Sequence, residues 1–270
     1  MPGSGGGEEE TGRAGEPLIA ALLSLSLAVE PCGVPLPAPG PPPWTTGEVA
    51  SYDLSLFGLL RAGSLELEAE RPMPGGKVVP LRARARTDPS VENLLRLTAV
   101  AFSWVDVRTM LPERYREEAE EDGVHKVSDA FLSPPGPTID LAYEIGGEKR
   151  TARVPRQGTV LDAVSAVYAL RRAHLAPGDR FCFDLLGRGR VYRVRGAVAA
   201  KRETLDTVLG KIETLRIDAR ASDAGHPEDP AREMHAWIST DDRRLFVAAV
   251  GEIDLGPIQL SLAGIRGGGR

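Results

Sequence analysis

At 270 residues, 42% hydrophobic and 26% charged, the chain can bury one large core or two small ones, and its composition is neither disordered nor fibrous. A formal charge of −5 leaves no basic surplus for a dedicated nucleic-acid binder. Its two cysteines, Cys32 and Cys182, form no C-x-x-C pair and have no histidine nearby, so no zinc site is expected; in an oxidising compartment they could pair with each other.

The N-terminal region reads as an address. Residues 17–28 form a 12-residue apolar run, too short for a membrane span, which needs about 20 residues. The run matches the core of a secretory signal, with Ser26 and Ala28 at the small positions read by a signal peptidase. Glu8, Glu9, Glu10 and Glu16 precede it against Arg13 alone, a departure from the positive flank such signals carry. Pro31 stands where a lipobox wants a small residue, so lipid anchoring at Cys32 is not expected. The expected location is the periplasm or the outer-membrane surface, with no transmembrane span in the mature chain. Seven prolines in 31–43 read as an extended spacer. The expected organisation is a signal-like segment with an acidic prefix over 1–28, a linker over 29–45, one β-rich domain over 46–264 and a flexible tail over 265–270.

From Gly47 the hydrophobic period is two. Ala50, Tyr52, Leu54 and Leu56 share one face of a strand over 48–56, Gly58–Gly63 reads as a turn, and 64–70 alternates Leu65, Leu67 and Ala69 with three glutamates. In 81–86, Leu81, Ala83 and Ala85 oppose Arg82, Arg84 and Arg86. One buried and one wet face is the signature of an antiparallel sheet. Further strands are expected at 104–109, 114–120, 126–131, 140–145 and 149–154, the last two joined by a Gly146-Gly147 hairpin. Val91–Ala99 has helical spacing and is ambiguous.

Thr159–Leu175 breaks the β pattern. Thr159 and Asp162 form a T-x-x-D capping pattern; Val160, Val164, Val167, Tyr168 and Arg171 follow helical spacing; Arg171 and Arg172 suit the C-terminal dipole; and Pro177-Gly178 stops the helix. After it, strands are expected at 180–185, 191–198, 211–219, 234–239, 245–252 and 258–262, with Gly187–Arg190 as a hairpin turn. The expected fold is mainly β, a curved antiparallel sheet or nearly closed barrel around this one helix.

Several pieces resemble a known family. Gly47-Glu48-Val49 with Tyr52-Asp53, Phe57-Gly58 and Ala62-Gly63, then the helix D-x-x-S-x-x-Y-x-x-R from Asp162 to Arg171, then Trp237-Ile238-Ser239-Thr240-Asp241-Asp242-Arg243 resemble, in order, the motifs of bacterial domain of unknown function 3108. That resemblance implies an exported or lipid-anchored envelope protein. It also implies a barrel-like fold similar in shape to periplasmic lipoprotein carriers, whose curved sheet holds a helix over an apolar cavity. It brings no reaction with it.

No residue pattern identifies a catalytic centre, a metal or a cofactor. Ser165 lies outside any G-x-S-x-G elbow, and His125, His174, His226 and His235 lack ligand spacing. Candidate cavity or anchor residues are Tyr52, Leu54, Val164, Tyr168, Arg171, Phe181, Phe183, Trp237 and Asp241. Arg171 is expected to anchor the helix to Asp241 or Asp242, since a buried charge survives by being paired. The alternative is that it pins a ligand. Arg82, Arg84, Arg86, Arg193 and Arg195 form basic strand faces, solvated or suited to an anionic headgroup. The leading expectation is a non-enzymatic lipid- or apolar-ligand-binding barrel. The alternative is a structural or assembly protein with a packed interior that binds an envelope partner through its outer face.

Overall fold

A computed structural model of the chain describes residues 33, 35, 37–156, 158–187, 189–226, 228–253 and 256–267. All of them belong to the unit spanning 32–270. The signal-like segment, the acidic prefix and Cys32 lie outside the described residues.

One antiparallel meander runs through β1 (Glu48–Leu56), β2 (Leu60–Ala69), β3 (Val78–Thr87), β4 (Leu97–Asp106), β5 (Pro112–Glu121), β6 (Val124–Phe131), β7 (Thr138–Ile145) and β8 (Glu148–Pro155). A short strand, β9 (Val160–Asp162), leads into the helix α1 (Ala163–Arg172). The second meander comprises β10 (Arg180–Gly187), β11 (Arg190–Thr207), β12 (Gly210–Asp223), β13 (Arg232–Ser239), β14 (Phe246–Ile253) and β15 (Gly256–Arg266). β1 pairs with β15, from Val49 opposite Arg266 to Leu56 opposite Ile258, and this joins both halves into one fifteen-stranded sheet running from β8 to β9. The sheet is curved and unclosed, and strands make up 63% of the structure. It is open between β8 and β9. Those edges are blunted by outward charges on β8 (Lys149, Arg153), by its terminal Pro155, and by the three-residue length of β9.

Alternation gives the sheet its two faces. Leu65, Ala85, Ala99 and Ala119 stand opposite one another across β2 to β5 on the concave side, while Glu66 meets Arg84 and Val100 meets Glu118 on the convex side. Acidic side chains stand beside part of the basic faces, with Glu66 opposite Arg84 in register. Arg82 bridges Glu68 and Glu70, and Arg193 pairs with buried Asp184. On the convex side Arg82 also lies over Phe102 and Arg114 over Trp104 and Phe131.

Several local expectations are corrected. Gly58–Gly63 is not one turn: β2 already begins at Leu60, and Gly63 is a strand residue whose added Cβ would lie 2.3 Å from the Arg86 carbonyl oxygen. Close strand approach, not chain reversal, requires that glycine. Val91–Ala99 divides into a 3-10 turn over Pro89–Val91, capped by Asp88, and the start of β4. The β11–β12 hairpin is longer than expected because a register shift between Val198 and Arg202 extends pairing to Thr207 and Gly210.

The helix spans ten residues, and Asp162, not Thr159, caps it. The Asp162 carboxylate accepts from the Val164 and Ser165 amides, both at 2.9 Å, while Ser165 Oγ accepts from the Asp162 amide at 2.9 Å. The capping box is therefore D-x-x-S, shifted one turn, because Val160–Asp162 pairs as a strand with Asp184–Leu186. β9 runs parallel to β10, a connection that needs a crossover of a dozen or more residues, and α1 with the following loop supplies it.

Candidate functional site

The helix has two faces with different fates. Ala163, Ala166, Val167 and Leu170, spaced as one helical stripe, look across to the concave face of the sheet. Between them lies a cavity of about 280 Å³, walled chiefly by Leu67, Phe181, Phe183, Ile217, Met234 and Phe246. Phe181 and Phe183 stack with ring centroids 6.0 Å apart. Phe181 fits because residue 196 is glycine: a Cβ there would lie 2.3 Å from its ring. Several wall residues, among them Val167, Leu185, Met234 and Ala236, are only half-buried, so the cavity communicates with solvent.

The other helix face is locked. Arg171, 2% exposed, pairs with the buried Glu48 carboxylate at 2.8 Å. It also donates to the carbonyls of Arg244 at 3.1 Å and Arg243 at 3.0 Å, in the β13–β14 connection. Its guanidinium lies 5.4 Å from the ring centres of both Trp44 and Tyr168, which meet edge to face at 4.9 Å. The expected partner, Asp241, is occupied elsewhere: it accepts from Ser239 Oγ at 2.7 Å and pairs with Arg243 at 2.6 Å. Arg171 thus reaches the expected turn, but through backbone carbonyls that Asp241 helps to present. Glu48 supplies the countercharge. Arg172 extends the lock, donating to the carbonyls of Val107 and Gly40, while Pro37 bridges Ala173 and the Gly33 carbonyl accepts from the Cys182 amide at 3.1 Å. The described residues of the proline-rich stretch therefore lie against the helix end and β10. Cys182 is disulfide-bonded.

Burial sets the protonation of this region. It pushes the Tyr52 phenol up to about 12 and raises that of Tyr168 further, with Arg171 pulling both back, so both rings remain neutral. The Tyr168 hydroxyl is buried without a hydrogen-bond partner. Burial also raises the Asp162 carboxyl above its ordinary value against the pull of Ser103 Oγ at 2.6 Å and the Ser165 and Val164 groups. Ser165, fully buried, is spent on this cap.

The nine sequence candidates therefore separate. Tyr52, Phe181 and Phe183 line the cavity. Leu54, next along the inner face of β1, is half-buried outside it, and Val164 is packed in the first helical turn. Tyr168 and Arg171 belong to the lock. Trp237 lies on the convex side beneath the long hairpin, its Nε1 donating to Glu203 at 2.7 Å. Asp241 sits in the turn below. Met234, Ala236, Ile217 and Phe246 were not singled out from the sequence, although Ile217, Met234 and Ala236 obey the alternation that marks inner-face positions.

No helix among the described residues is long and apolar enough to cross a membrane, which says nothing of a β-barrel. No curated protein matches the sequence. In structure the chain is similar to a β-barrel-like protein of domain of unknown function DUF1849 from Brucella abortus (TM-score 0.56, 11% identity, 82% of this chain and 97% of that one). Looser likenesses, too weak to carry an argument, are to a candidate exported protein with a YmcC-like fold from Bacteroides fragilis (TM-score 0.35, 10% identity, 87% and 100% covered) and a candidate lipoprotein from Parabacteroides distasonis (TM-score 0.34, 10% identity, 88% and 100% covered). The first likeness establishes the barrel-like fold. Residues 51–263 match the model of the family described as "Protein of unknown function (DUF3108)", and the chain belongs to that family.

Proposed function

We propose that the protein binds an apolar molecule, such as the acyl chain of a lipid, in the cavity between α1 and the concave sheet. The carrying observation is the 280 Å³ cavity itself, with aromatic and aliphatic walls and a partly open border. Its walls are almost wholly apolar and partly exposed, so an aliphatic chain laid in the groove would cover apolar surface that water cannot satisfy. The lining offers no convergent set of charged groups: Arg171 is turned away and committed to Glu48. Binding without bond-making chemistry is the reading that suits such walls.

The compartment proposed is the cell envelope. The signal-like run at 17–28 supports export, and a disulfide-bonded Cys182 supports an oxidising environment. The rival reading, a packed protein acting only through its outer face, gives this apolar groove no occupant.

Ala236, on the inner face of β13 and at the cavity wall, provides the test. Ala236→Phe places a ring in the void. Binding of a fluorescent fatty acid should fall at least about tenfold while the protein stays folded, because the ring extends into a solvent-connected groove and not into packed side chains. Undiminished binding by a folded Ala236→Phe protein would sink the proposal.

A further inference from the structure

Tyr52 stands where packing alone has no use for a hydroxyl. It is 2% exposed on the inner face of β1 and forms part of the groove wall. Its neighbours on that face are all apolar: Ala50 and Leu54 along the strand, Leu65 and Leu262 across it. The helix opposite offers only Ala163, Ala166, Val167 and Leu170. A buried tyrosine ordinarily gives its O–H to an acceptor, as Tyr115 does to Glu117 at 3.0 Å. The Tyr52 hydroxyl meets no acceptor among the described residues. The Tyr168 hydroxyl is an orphan as well, and the nearby Glu48 carboxylate is taken by Arg171. This end of the groove therefore has donors in excess and lacks an acceptor.

The missing acceptor has a definite chemistry. It carries no negative charge, because every basic group at the wall or behind it is committed: Arg171 to Glu48, and His235, the other polar side chain on the wall, to Asp218 at 2.6 Å. A carboxylate buried beside Tyr52 would be an unpaired charge among apolar walls. It also brings no donor of its own. The O–H of an alcohol or the N–H of an amide would need a second acceptor, and the walls hold none. A carbonyl oxygen bonded to carbon and an ether-type oxygen, an ester, meets both conditions. It accepts from the phenol and adds nothing that needs satisfying.

We propose that Tyr52 is a specificity-determining residue of the groove, donating its O–H to the ester carbonyl of an acylated ligand. The inference rests on the binding reading above and narrows its ligand from any aliphatic chain to an uncharged ester. The test compares the full-length parent protein with Tyr52→Phe, which keeps the ring and removes the hydroxyl. Methyl laurate, laurate and dodecane each displace the apolar dye N-phenyl-1-naphthylamine at about pH 8, where laurate is ionised. Tyr52→Phe should weaken methyl laurate about fivefold, the worth of one hydrogen bond. It should leave dodecane unchanged, and laurate too, whose carboxylate stays in water. Stability in urea should hold or rise, since the substitution removes an orphaned hydroxyl. Unchanged methyl laurate affinity would overturn the inference, because a water would then suffice for Tyr52. So would equal losses for all three probes, or a larger loss for laurate. A parent protein that binds neither the dye nor any of the three probes would instead overturn the binding reading itself.

Discussion

Replacing Arg171 with Met removes the guanidinium but keeps much of the side chain's bulk. The Glu48 carboxylate, whose side chain is 8% exposed, is then left without its countercharge. Breaking a buried pair by removing one partner costs about 3–5 kcal/mol. The carbonyls of Arg243 and Arg244 also lose donors, so the upper half of that range is expected. A domain holds about 5–15 kcal/mol in all, which makes the loss visible in urea titration followed by tryptophan fluorescence, with Trp44 packed against the substituted position. Glu48→Gln alone should cost about 1–3 kcal/mol, because Arg171 keeps its carbonyl acceptors. The double variant should be more stable than the two losses added together predict, by about 0.5–3 kcal/mol. Fatty-acid affinity of the folded Arg171→Met protein should be unchanged. A loss below about 1 kcal/mol, additive behaviour, or a fall in affinity without a fall in stability would refute the assignment of Arg171 to the lock.

Gly196→Ala should push the Phe181 ring toward the cavity, because the new Cβ would lie 2.3 Å from it; a modest stability loss of about 1 kcal/mol, with clearly weaker fatty-acid binding, is expected in titration. Asp162→Ala should cost about 2–3 kcal/mol through the lost cap and the orphaned Ser103 and Ser165 hydroxyls. Its pH dependence has a definite sign. Burial raises the folded-state pKa of Asp162 above the unfolded value, so across that window the folded state binds more protons and the residue's contribution falls as pH rises. The deficit of Asp162→Ala should therefore be larger in acid than near neutrality, as read by urea titrations across that range.

Much of this architecture is written locally. The strict alternation of Leu65, Leu67 and Ala69 with glutamates, the Gly146-Gly147 reversal with φ of +58° and +88°, and the helical stripe after Asp162 each depend on near neighbours. What the sequence hides is non-local. Thr159 resembles a cap until the pairing of β9 with β10 moves the helix start to Asp162. Gly63 resembles a turn residue because nothing nearby reveals the approach of Arg86. Arg171 announces that it needs an anion, yet Glu48 lies 123 positions earlier in the chain and sits on a strand where it passes for an ordinary surface acid. The cavity is harder still to foresee. Tyr52, Phe181 and Phe183 are visible as large inner-face residues, but a void is a failure of opposing side chains to meet, and single-strand patterns carry no record of what stands across from them.

Native mass spectrometry of the full chain, released gently from the cells that make it, tests the binding reading most directly. A fraction of the folded protein should carry one lipid-sized apolar adduct, and that adduct should be absent from the Ala236→Phe protein prepared in parallel. Protein that is always free of adduct, and that takes up no fatty acid when offered it, would contradict the account.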